Sequence, residues 1–199
     1  MGWQREGFET HEGTVGVLLA DGTEPRPVIF DLGSTAYFHE SSDWWVYDGT
    51  MRRPTATALR GRCACGWRGE RTVSLDWEEV ERVGRDAYDV STAEEDWEAH
   101  MDDVAARALP LPDDVAVLLR TLRERLDEMV DEEPVMVLKT AENLGAIVAD
   151  FGPLAARYIK GDAVPLPRLA EALGTTEKAA GSRLTHYAYL SGCVPGEPP

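Results

Sequence analysis

Lysine is scarce in this chain of 199 residues: three, against 17 arginines. That bias points to a G+C-rich coding sequence and says nothing about mechanism. Cysteine is also rare. There are three, two of them separated by a single residue, which excludes a disulfide framework and suits a reducing, cytoplasmic setting. No run of about 18 uninterrupted apolar residues occurs, so no membrane span is expected. The opening residues, MGWQREGFETHEG, hold no apolar core segment of the kind a secretory leader needs. Catalytic signatures are missing as well. There is no GxSxG, no GxxxxGK[ST], no GxGxxG after a strand, no HExxH and no H-x-E with P-C-x-x-C. The carboxylates Glu94, Glu95, Asp96, Asp102 and Asp103 read as a solvated face rather than paired general acids. The chain is therefore read as a non-enzyme.

What is abundant is negative charge, and it is unevenly placed. The net charge is −16. Residues 1–75 carry 10 acidic and 8 basic side chains, a net −2, while residues 76–133 carry 20 and 6, a net −14. Residues 134–199 carry six of each and are neutral. A field of that size over residues 76–133 would steer a basic protein partner. Within residues 49–75 the balance reverses: Arg52, Arg53, Arg60, Arg62, Arg68 and Arg71 face only Glu70. The simplest use for these arginines is pairing with the acidic segment that follows. The alternative is a phosphate-contacting surface interleaved with Trp67.

The hydrophobic pattern changes period along the chain. After a polar lead-in, in which His11 reads as a solvated side chain, residues 14–75 show short β-type runs split by turn residues. They lie at 14–19, 28–30, 36–39, 44–47, 55–62 and 71–75, with Asp21-Gly22 and Asp48-Gly49 as turn dipeptides. This spacing predicts a compact antiparallel sheet or small barrel. Acidic helices follow over residues 75–108, including one at 91–108 opened by a capping box, Ser91 and Glu94. Pro110 and Pro112 then interrupt the chain. The expected architecture is α+β: a β-rich domain with acidic helices at 1–108, and an all-α bundle at 113–192. The bundle's first helix, 113–131, carries the apolar stripe Val115, Leu118, Leu119, Leu122, Leu126, Met129 and Val130, long enough to pair two subunits. The next helix is expected to break at Phe151-Gly152-Pro153, and the tail 195–199 to be disordered.

Cys63-Ala64-Cys65-Gly66-Trp67 sets two thiols one residue apart before a glycine, like half of a zinc knuckle. Followed by a helix bearing Trp97-x-x-His100, it resembles a small zinc-binding pattern of uncharacterised actinobacterial proteins. That resemblance implies Cys63, Cys65 and His100 as ligands of a structural Zn²⁺. It leaves the fourth open among His39, Cys193 and a carboxylate such as Asp103. Without a metal, the same residues are reduced thiols and a half-buried histidine.

Residues 165–189 read as two short helices joined at Gly174, with Thr175 and Thr176 as caps. The small residue Ala170, the glycine four positions on and Ala180 are spaced as in a helix-turn-helix. The run LAEALGTTEKAAGSRL is similar to the C-terminal helix-turn-helix of many small actinobacterial regulators. The resemblance implies a transcriptional regulator binding double-stranded DNA, in which Thr176, Lys178, Ser182 and Thr185 meet bases or phosphates and Arg168 and Arg183 the backbone. The competing expectation is an acidic adaptor or accessory subunit that engages a basic or nucleic-acid-binding partner.

Overall fold

The computed structural model describes residues 2–31 and 38–190. The chain divides into two compact units, residues 1–106 and 107–199. The architecture is α+β, with two small antiparallel sheets and six α-helices among the described residues.

In the first unit β1 (Gly13–Leu18) alternates Val15 and Val17 into the core and pairs with a distant strand. The turn at Asp21-Gly22 closes through Leu19 N–H to the Thr23 carbonyl at 2.9 Å, yet it makes no hairpin between neighbouring strands. Instead β2 (Val28–Asp31) pairs with β3 (Phe38–Ser41) in a separate sheet. The partner of β1 is β4 (Ala58–Cys63), which also pairs with β5 (Val73–Ser74). Of the run expected at 36–39, residues 36 and 37 lie outside the described residues.

The strand expected over residues 44–47 is instead a 3₁₀ turn, Trp44–Val46. The reason is burial. Trp44, Val46 and Tyr47 all reach the core, whereas a strand would send Val46 and Tyr47 to opposite faces. Trp44 anchors an aromatic group with Trp77 and Tyr88, and the Trp77 indole N–H donates to the Ala56 carbonyl at 2.9 Å.

Two helices complete this unit. The first, α1 (Trp77–Val83), is capped by the Asp76 carboxylate, which accepts from the Glu78 and Glu79 amides. The second, α2 (Ser91–Arg107), is held at its start from upstream: the Ser91 amide donates to the Asp89 carboxylate at 2.9 Å. On α2 the buried Ala93, Trp97 and Met101 form one stripe against β1 and β4. Glycines make that approach close. A Cβ on Gly13 would sit 2.5 Å from Trp97, and one on Gly61 would sit 2.6 Å from the Ala93 carbonyl oxygen.

The second unit is helical. It holds α3 (Asp113–Met129), α4 (Pro134–Gly161), α5 (Leu166–Ala172) and α6 (Glu177–Leu190). No residue of α3 is buried. The break expected at residues 151–153 does not occur, and Pro153 lies inside one 28-residue helix. Proline removes one helical hydrogen bond. The continuous face of Phe151, Ala156 and Ile159, on both sides of it, keeps the helix running past α6. Gly152 serves packing rather than termination, since a Cβ there would lie 2.5 Å from the Tyr187 ring. Leu169, Ala170 and Ala180 form the small core between α5 and α6. No described helix is long and apolar enough to cross a membrane.

Candidate functional site

Four side chains from three chain-distant segments meet at one end of the β1–β4 pair. The register places Gly13 opposite Cys63. Extending it by two residues brings His11 opposite Cys65, and the Ala64 amide indeed donates to the Glu12 carbonyl at 2.9 Å. The strand then doubles back. Gly66, at φ +99°, lets its own amide donate to the Cys63 carbonyl and brings the Trp67 carbonyl to the Cys63 amide. That curl aims both thiols to one side. From above, α2 supplies His100, one turn beyond Trp97. The Trp97 indole N–H donates to the His11 carbonyl at 3.1 Å, so one side chain fixes the heights of helix and loop together.

The ligand atoms of His11, Cys63, Cys65 and His100 all lie within 4.8 Å of one another. Cys63 Sγ is 3.7 Å from His11 Nδ1, and Cys65 Sγ is 3.4 Å from His100 Nε2. A tetrahedral ion with bonds of about 2.0–2.3 Å has ligand–ligand edges of roughly 3.3–3.8 Å. Both sulfur–nitrogen edges fall in that range. His11 is buried, and its Nε2 has no hydrogen-bond partner among the described residues. Such a group of two imidazoles and two thiols can bind a metal ion.

The electrostatics suit that use. Cys65 accepts the Cys63 S–H and, against its partial burial, is pulled down to about 3, with His100 adding to the effect. Cys63, which supplies that proton and is buried, is pushed up. A cation entering between the two sulfurs would take the place of the shared proton. His100 is stacked on Trp67, with ring centroids 4.5 Å apart and planes 7° from parallel, which fixes the imidazole's plane.

Cys63, Cys65 and His100 therefore stand together as expected, and the fourth member is the histidine that reads from sequence as solvated. His39 is exposed and sits across from Phe30 in the other sheet. Asp103 is exposed on α2 and is not part of the group. Cys193 lies outside the described residues. The basic stretch is also paired differently from expectation. Arg60 and Arg68 both bind Glu24, Arg53 binds Asp48, and Arg62 donates to the Thr14 hydroxyl. Among the described residues of the stretch, only Arg71 reaches the acidic segment, at Glu95 and Asp96. Burial alone would raise the Glu24 carboxyl; Arg68 and Arg60 outweigh it and hold it below the usual range.

The residues expected to meet DNA separate into two groups. Lys178, Ser182 and Thr185 share one exposed side of α6 and line a shallow groove there. Arg183 lies on another side of the same helix, beside Leu184 and Tyr187. Thr176 is occupied as the cap of α6, its hydroxyl accepting the Ala179 amide at 3.2 Å. Arg168 is exposed on α5. Gly174, at φ +56°, makes the turn between the two helices.

No family model, curated protein or solved structure matches the chain.

Proposed function

We propose that residues 1–106 form a structural zinc domain in which His11, Cys63, Cys65 and His100 complete a closed Cys₂His₂ site. The observation that carries this reading is the convergence of four ligand atoms within 4.8 Å from three chain-distant segments. Two thiolates and two imidazoles are the donor set that favours zinc over harder cations. A site whose four positions are filled by protein has no open position for substrate, so its role is to hold the fold. It clips the lead-in, the tip of β4 and the middle of α2, a cross-link that shortens the loops of the unfolded chain. Metal analysis of the purified protein tests it: one zinc per chain is expected, and none in Cys63→Ser. A metal-free protein that unfolds no differently with added zinc overturns it.

The function we assign to the whole chain is sequence-specific DNA binding in transcription regulation. Its support is that α6 packs by Ala180 and Leu184 while keeping Lys178, Ser182 and Thr185 exposed on one side. In this reading α5 and α6 are the helix-turn-helix, Arg168 touches phosphate, and α3, none of whose residues is buried, pairs two copies for a palindromic site. Genome-wide recovery of bound DNA is the direct test. An enriched motif that disappears in Lys178→Glu is the expected result. A stoichiometric basic protein recovered without DNA assigns the chain instead to the adaptor class, acting through the acidic segment 76–133.

A further inference from the structure

We propose that the helical unit carries a binding site for an amphipathic organic anion, an apolar body ending in one carboxylate. It rests neither on the metal site nor on DNA binding. Between α4, α5 and α6 lies a cavity of about 520 Å³. That is within the size range of small-molecule sites, about 300–1,000 Å³. The space exists because several of the positions lining it are small: Gly152, Ala155, Ala156 and Ala180. Larger walls come from Phe151, Ile159, Leu169 and Leu173. Phe151 is 65 % exposed and Ile147, at the same edge, 54 %. Apolar side chains left open around a concavity, rather than scattered singly, mark a place where something apolar binds.

The chemistry of the rim selects the ligand. Among the described residues Arg183 is the only charged one lining the cavity, and no acidic side chain accompanies it. Tyr187 stands four positions along α6, on the same side of the helix. Among the described residues neither the Arg183 guanidinium nor the Tyr187 hydroxyl has an ion-pair or hydrogen-bond partner. A guanidinium fork and a phenol in one lining are donors suited to a carboxylate, while the remaining wall accepts only hydrocarbon. A neutral apolar ligand would leave the guanidinium unused. A polar anion would leave the wall wet.

The test is calorimetric titration of the full-length protein with decanoate, and with 1-decanol as the uncharged analogue. Saturable binding of decanoate at one site per chain is expected. Arg183→Gln should weaken decanoate by about tenfold or more while leaving 1-decanol unchanged. Ala155→Phe should abolish binding of both by filling the cavity. Ala155 is exposed, so the helix should tolerate the change, and Leu173→Trp fills the same space from α5 as a second variant. Absence of saturable decanoate binding overturns the proposal, as does unchanged binding in both filled variants. A dimer that dissociates in Ala155→Phe, in protein that takes up no decanoate, also overturns it and gives the cavity to a second copy of the chain.

Discussion

His11 shows how one buried nitrogen changes the meaning of a residue. In sequence it stands in a polar lead-in with nothing around it to mark a ligand. In the structure it is buried beside Cys63, with one ring nitrogen unsatisfied and its carbonyl held by Trp97. His11→Ala should therefore weaken zinc binding by at least about 100-fold, because a missing ligand costs no less than a missing outer-shell partner. Competition with a chromophoric chelator measures this, and a His39→Ala control should bind as tightly as the wild type. Glu24 offers a second single-residue test. Arg60 and Arg68 hold its carboxyl below the ordinary value of 4.5, so the ionised form stabilises the fold. A depressed pKa contributes stability above the unfolded value and loses it as pH falls through the folded one. Glu24→Gln should cost about 1 kcal/mol at pH 7. Denaturant midpoints should converge with those of the wild type well below pH 4.5, and a gap that persists there would assign the effect to packing instead.

At the scale of elements, the glycines decide how α2 meets the sheet. Gly61 has the Ala93 carbonyl oxygen where its Cβ would be, and Gly13 has the Trp97 indole there. Gly16, on the same strand as Gly13, has no neighbour closer than 3.4 Å. Gly61→Ala should lift α2, cost about 1–3 kcal/mol and weaken metal binding by displacing His100. Gly16→Ala should do neither, and equal behaviour of the two in thermal melts and zinc titrations would contradict the packing described. These elements differ in how far they are legible from sequence. Alternation reveals Val15 and Val17, and the period near 3.6 reveals Trp97, His100 and Met101 as one face. Pairing is not legible: nothing local says that β1 seeks β4 across some forty residues, and His11 comes to lie beside Cys63 only through that pairing. Two local signals mislead because packing overrides them. Trp44 to Tyr47 look like a strand until three of the four must be buried at once. Gly152-Pro153 looks like a break until the Tyr187 ring needs the space.

For the whole molecule, the division into two units with separate cores makes the proposed role of zinc measurable. All six tryptophans lie in residues 1–106, as do the four side chains proposed to hold zinc, while α3 to α6 hold most of the helix. The core around Cys63, Trp97 and Met101 is small and abuts the proposed ion, so removing zinc takes away the clip between α2 and β4. The core of Leu169, Ala170 and Ala180 has no metal-binding group in it. Stripping the protein with a strong chelator should therefore abolish the near-ultraviolet circular dichroism and red-shift tryptophan emission. The signal at 222 nm should keep the larger part of its amplitude. Adding back one equivalent of zinc should restore both tryptophan signals, and magnesium should restore neither, since the donors are sulfur and nitrogen. Loss of both kinds of signal in one transition would mean that the two units fold as one. Survival of the tryptophan signals without metal would mean that the first unit stands on its aromatic core alone, with the four ligands adding little to its stability.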